Sequence, residues 1–282
     1  MRTPNTIARS RPLRGEEAFV YGLKNRAKKQ HCLGYGTFSV EMDRLEQLRK
    51  AYCRAVAPVT KVTLLVKALA LAVAQNPKVN AILFRRLLGP RIVQFERVDV
   101  NLPIMRRIGQ RTITFIGVIR NAPEKSLAEI QQELTNYQRC DPAQSPAIRR
   151  VMWFDGKPLW LARLVHWRMG SDPEFYIRNV GTCGLTLGHG NHEHAFPIAP
   201  TSAVFALGGV ARRPVVRGEE VAVARVMKCT LMIDNFVVPG LVGERLIYDF
   251  QRLLESGSFV QDELDAVESP HEASTVRDQQ RV

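Results

Sequence analysis

The chain has 282 residues, is 45% hydrophobic and carries a formal net charge of +13, enough apolar material for one large domain or two small ones, and we read one. It has no run of about 18 uncharged apolar residues, and its start, Met1 to Thr6, lacks an apolar stretch, which excludes a helical membrane span and a secretory signal and leaves a soluble cytoplasmic protein as the expectation. The five cysteines, Cys32, Cys53, Cys140, Cys183 and Cys229, are scattered and without C-x-x-C spacing, so reduced buried thiols are expected rather than disulfides or a cysteine zinc site. The charge suits nucleic acid, an acidic carrier or a phosphate-bearing cofactor such as coenzyme A, but no nucleic-acid module accompanies it, and it reads as a solvated surface with an anion-attracting channel.

Residues 1–14 carry Arg2, Arg9, Arg11 and Arg14 without apolar periodicity and read as a flexible basic arm. Glu16 to Lys29 reads as a helix with a basic last turn. Gly36 to Met42 alternates as a half-buried strand. Asp43 then stands as the cap of a helix over Arg44 to Ala55, with Glu46 completing a capping box. Thr60 to Gln75 is the longest apolar helix, ended by Asn76-Pro77. Strands are expected at Ala81 to Phe84, Arg91 to Phe95, Val98 to Ile104 and Arg111 to Ile119. Ser126 caps an amphipathic helix to Arg139, with Glu129 as its capping-box partner.

Residues 140–180 hold all three tryptophans, Trp153, Trp160 and Trp167, at seven-residue spacing that puts a stripe on one helical face, in a basic amphipathic segment with Arg149, Arg150, Lys157, Arg163 and Arg168 that is broken by Gly156 and Pro158. The stripe either caps the core or covers a substrate channel, or it docks the chain on a membrane or partner protein. Gly181 to Leu187, Val204 to Val210, Val221 to Arg225 and Met227 to Ile233 are further strands. Leu241 to Glu255 is the last helix, with Gly257 as its stop. Residues 257–282 follow; from Gln261 on they hold six acids and two arginines, which reads as a disordered acidic tail.

The segment Asp234-Asn-Phe-Val-Val-Pro-Gly240 lies between the last strand and the last helix. It resembles the D-H-R-x-x-D-G signature of the chloramphenicol acetyltransferase and dihydrolipoyl acyltransferase superfamily. Lys67-Ala-Leu-Ala-Leu with Asn76-Pro-Lys-Val-Asn-Ala81, and Arg120-Asn-Ala-Pro-Glu-Lys-Ser-Leu127 before a helix, are similar to other segments of that family. The resemblance covers most of residues 15–256. It implies an α/β fold, a mixed sheet flanked by helices, and a homotrimer whose active sites lie between subunits, one giving a histidine base and the neighbour a hydroxyl. It also implies a coenzyme A thioester as substrate rather than as a tightly bound cofactor.

The pattern is degenerate here. Asn235 stands at the base position, and an amide cannot take a proton as imidazole does. Pro239 stands at the second Asp, which in the family pairs with an Arg to hold the loop. Asp234 and Gly240 are kept, and Asp234 and Asn235 could orient a substrate carbonyl or satisfy the turn. Gly181-Thr-Cys-Gly-Leu-Thr186 places Thr186 where the family has its oxyanion-donating Ser; it is otherwise an ordinary strand Thr. The following loop holds His189, His192 and His194, each a surface or structural residue, a relocated base, or a metal ligand lacking an obvious third partner. About 15 residues precede the first helix, so no lipoyl domain is expected and the acyl group would arrive on coenzyme A, on a carrier or as a free metabolite. The expectation is a free-standing acyltransferase with altered catalysis; the alternative is a non-catalytic trimeric scaffold or ligand-binding protein, and acyl-enzyme chemistry at Cys183 or Cys229 is more distant.

Overall fold

A computed structural model describes residues 31–86, 89–154, 157, 159–188 and 193–268, together with 17, 21, 22, 24, 25 and 28. The basic arm at 1–14, most of the helix expected at 16–29, and the last 14 residues lie outside the described residues.

The strands are β1 (Leu33–Glu41), β2 (Ala81–Arg86), β3 (Gly89–Gln94), β4 (Val100–Ile108), β5 (Arg111–Ile119), β6 (Cys183–Leu187), β7 (Ala203–Arg217) and β8 (Glu220–Asp234). Six of them form one mixed sheet in the order β1-β8-β7-β6-β4-β5, and β2 and β3 pair separately. The helices are α1 (Asp43–Ala55), α2 (Lys61–Gln75), α3 (Leu127–Arg139), α4 (Pro146–Trp153), α5 (Leu159–Ser171), α6 (Pro173–Val180), α7 (Gly240–Ser256) and α8 (Ser258–Glu268).

The central helix is α2. Thr60 caps it by accepting from the Thr63 N–H, and its apolar residues cover nearly the whole circumference, the pattern of a helix packed on all sides. It contacts α3 and α7, and α7 lies against β1. The buried Lys67 amine donates to the carbonyls of Pro123 and Lys125 at 2.8 and 2.6 Å, tying α2 to the turn before α3, and burial pushes its pKa down. Asn80 donates to the carbonyls of Phe95 and Arg97. Both family-like segments are therefore braces that satisfy buried carbonyls. Between sheet and α7, Phe205 and Phe250 pack at a tilt with centroids 4.3 Å apart, and Phe38 meets both edge-on.

The α3 capping box forms as the sequence suggests. Ser126→Ala should cost about 1 kcal/mol, read as a lower midpoint in urea at unchanged slope. The expected box at Asp43 does not form. The helix starts one residue earlier than expected, after Met42, and the Asp43 carboxylate instead takes the Arg225 N–H at 2.9 Å and its guanidinium at 2.7 Å. That contact holds the Asp43 carboxyl below the usual carboxylate range, and a charge-assisted pair outcompetes a local cap.

Three other expectations are corrected. The strands beyond Val204 form one long antiparallel hairpin, β7–β8, with a register shift between Leu207 and Val210, and its outer part runs past the end of β1 with Val216, Val221 and Val223 exposed. Residues 258–268 are helix α8, not disordered tail: Phe259, Val260 and Leu264 are buried. The Glu263 carboxylate accepts from the Leu127 N–H at 3.1 Å and the Tyr52 hydroxyl at 3.0 Å. An acid count treats Glu263 as a solubilising charge, whereas here it sits at the positive N-terminus of α3. Finally, Trp153 lies on α4 while Trp160 and Trp167 lie on α5, so the three share no single helix.

Candidate functional site

The site residues cluster at two places set by the sheet. The first is the turn after β8. Antiparallel pairing aligns Leu33 with Asp234, which brings residues 31 and 32 against the turn. The Asp234 carboxylate, fully buried, accepts from the backbone N–H groups of Cys32 at 3.0 Å and Phe236 at 3.1 Å. Its other oxygen lies 2.5 Å from His31 Nδ1, and both side chains are fully enclosed. A carboxylate so placed takes its third hydrogen bond from an imidazole N–H, so in the neutral ring Nδ1 is the protonated nitrogen and Nε2 the one with the lone pair. Nε2 is buried and has no hydrogen-bond partner among the described residues.

The turn is fixed further by Asn235 N–H on the Cys32 carbonyl at 2.7 Å and by Val237 and Val238 N–H on the Asp234 carbonyl, and both valines are buried. Asn235 and Phe236 face outward. The Asn235 amide lies over β1, where a Cβ on Gly34 would fall 2.6 Å from its nitrogen. Pro239 is the N-cap of α7, so the residue at the second Asp position starts a helix with a preset φ instead of taking an ion pair.

The second place is β6. Thr186 lines a cavity of about 430 Å³ whose walls include Asn101, Thr114, Leu185, Val204 and residues 195–201, with Lys24 beside it. Its lining is mostly apolar with a few polar groups, the usual composition of a small-molecule site. Asn101 lies across Gly184, where a Cβ would sit 2.9 Å from its amide oxygen. The loop at 193–200 is fastened to the sheet by the Tyr35 hydroxyl on the Pro197 carbonyl at 2.9 Å and by edge-on packing of Tyr35 against Phe196. Thr37, Thr230, Ala206 and Thr186 stand in register across four strands, and paired residues share a face. His194 joins that row, its Nδ1 3.2 Å from Thr230 Oγ1, while Glu193 pairs with Arg213 at 2.6 Å.

His189 and His192 lie outside the described residues. Of the three loop histidines, His194 is thus placed, on the same sheet face as Thr186. Thr186 and the Asp234–Asn235 turn do not meet in one chain. Two strands and four residues separate Thr186 from Asp234, about 10 Å across the sheet and about 13 Å along it. The thiols offer no nucleophile at the core: burial pushes Cys183 up to about 12 and Cys229 higher still. Cys32, expected buried, is exposed.

His31 is the functional candidate that sequence reading missed. Its meeting with Asp234 across 203 positions follows only from the β1–β8 register. The signal available was a histidine five residues ahead of the strand expected from Gly36.

A family profile described as the 2-oxoacid dehydrogenases acyltransferase (catalytic domain) matches residues 25–144 and 170–260. The acetyltransferase component of the pyruvate dehydrogenase complex from Rickettsia felis is 32% identical over 82 residues, 29% of this chain and 19% of that protein. The Rhizobium meliloti counterpart is 27% identical over 232 residues, 79% of this chain and 44% of its own length. The chain thus spans less than half the length of these two curated relatives in the matched region. Among solved structures, the dihydrolipoamide acetyltransferase of Azotobacter vinelandii, whose serine, histidine and asparagine have been investigated for roles in its catalytic mechanism, superposes with a TM-score of 0.66 at 17% identity, covering 90% of this chain and 94% of that one. With a profile match over both halves of the sheet and the same fold in a solved relative, the chain belongs to the 2-oxoacid dehydrogenase acyltransferase (catalytic domain) family.

Proposed function

We propose that this protein transfers acyl groups between thiols, drawing on a coenzyme A or carrier-linked thioester, at a site shared between copies of a homotrimer and with the imidazole supplied by His31 instead of by the motif position. The observation that carries this reading is the Asp234–His31 pair. It leaves an imidazole nitrogen without a partner among the described residues, beside the turn where the family signature has its base and this chain has Asn235. A buried polar atom left unsatisfied costs about 1–3 kcal/mol, and such costs cluster where function holds them in place. The cavity at Thr186 supplies the complementary half, and its distance from Asp234 within one chain is what a shared site requires.

In this reading the Thr186 hydroxyl donates to the thioester carbonyl oxygen as negative charge gathers on it. The attacking thiol gives its proton to His31 Nε2, its sulfur bonds the carbonyl carbon, the bond to the donor sulfur breaks, and the proton passes to the departing thiolate. Asp234 holds the ring in the required tautomer.

A second reading, a trimeric scaffold or ligand-binding protein that has lost catalysis, is favoured by Asn235 and by the enclosure of His31. The two separate in one experiment. Light scattering should give a trimer at micromolar protein, and acetyl coenzyme A with a small dithiol should give acyl transfer above the uncatalysed rate. A trimer that binds acetyl coenzyme A without transfer establishes the scaffold. A stable monomer removes the shared site altogether.

A further inference from the structure

Helix α5 is apolar on two opposite faces. Ala162 and Met169 are buried in a small second core with Ile82, Phe84, Phe154 and Tyr176. The opposite face presents Trp160, Leu164 and Trp167, exposed to 63, 53 and 68%. Their spacing of four and then three residues aligns them in one stripe. Arg163 and Arg168 flank the stripe and are exposed too. Helices α4 and α5 contain no acidic residue, and Lys157, between them, lies over the Trp153 ring. Trp153 and its neighbour Met152 are also exposed.

A helix with two opposite apolar faces has one left uncovered when only the other packs into the core. Two tryptophans on one exposed stripe exceed the scattered apolar residues of an ordinary surface. The family profile skips residues 145–169, which are α4 and most of α5, so the stripe belongs to a stretch that the shared fold does not account for.

We propose that this face is a docking surface for an anionic lipid bilayer, with α5 lying in the plane of the interface. Tryptophan rings suit that depth because their bodies are apolar and their N–H edges polar. Arginines beside them meet lipid phosphates while their stems cover apolar surface. A symmetric contact with a second copy fits poorly, because a two-fold interface on this face sets the same arginines against each other, with Asp172, already 3.7 Å from the Arg168 guanidinium, as the acid beside them. No helix among the described residues is long and apolar enough to cross a membrane, so attachment is peripheral and reversible.

The test is sedimentation of the full chain with vesicles of phosphatidylglycerol and, separately, of phosphatidylcholine, with tryptophan emission read in parallel. The intact protein is expected to sediment with the phosphatidylglycerol vesicles and not with phosphatidylcholine, and its emission to shift to the blue. Trp160→Ser with Trp167→Ser should weaken that binding by about tenfold or more through lost apolar burial, with melting temperature and oligomeric size unchanged. Failure of the intact protein to sediment with phosphatidylglycerol overturns the proposal. So does undiminished binding by the double variant, which would assign the attraction to the other basic residues of the chain. A fall in oligomeric size in the double variant also overturns it, making the face a contact between copies.

Discussion

His31→Asn is expected to lower acyl-transfer turnover by about 10²–10⁴-fold, the usual contribution of a positioned acid/base group, while leaving the melting temperature close to that of the parent. The asparagine amide can stand where Nδ1 stands and donate to Asp234, so the clamp between residue 31 and the turn persists and only the second ring nitrogen is lost. His31→Ala removes the clamp as well, leaving a buried Asp234 oxygen without its donor, and should add a stability loss of about 1–3 kcal/mol. If His31 only holds the turn, Asn preserves the rate and Ala alone lowers it, in step with stability. Steady-state kinetics and thermal unfolding of the two variants decide between these outcomes.

Thr186→Val should lower kcat by about 10²–10³-fold with little change in KM, because an oxyanion donor acts on charge present in the transition state and not on the bound ground state. Valine has nearly the same shape and suits a strand, so the cavity wall stays in place and the lost hydroxyl is the variable. Thr186→Ser should recover most of the rate. A Val variant as fast as the parent would return Thr186 to the status of a strand residue.

Much of the fold is legible in the sequence because its signals are local. The Thr60 cap with Asn76-Pro77 bounds α2, the Ser126–Glu129 box opens α3, and Gly257 ends α7 at a positive φ of 64°. What escapes is decided by partners far along the chain. Asp43 has the spacing of a cap but goes to Arg225. Glu263 sits in acidic surroundings but meets a helix N-terminus more than a hundred residues away. The candidate site divides in the same way. Thr186 and the turn at Asp234 are found by motif, each with its own strand. His31 needs the pairing register between the first strand and the last, which no periodicity within either strand contains.

The bond from Glu263 to Tyr52 spans 211 positions, and that to Leu127 spans 136. During synthesis, then, α1 must wait for nearly the whole polypeptide before its tyrosine and the start of α3 gain their common partner. Contacts of such long separation form late because their loop-closure entropy is large. Until α8 emerges, the apolar surface that Phe259, Val260 and Leu264 cover stays open to solvent and to other nascent chains. A recombinant fragment ended at Ser256, where the last family-like helix stops, would be held permanently at that stage.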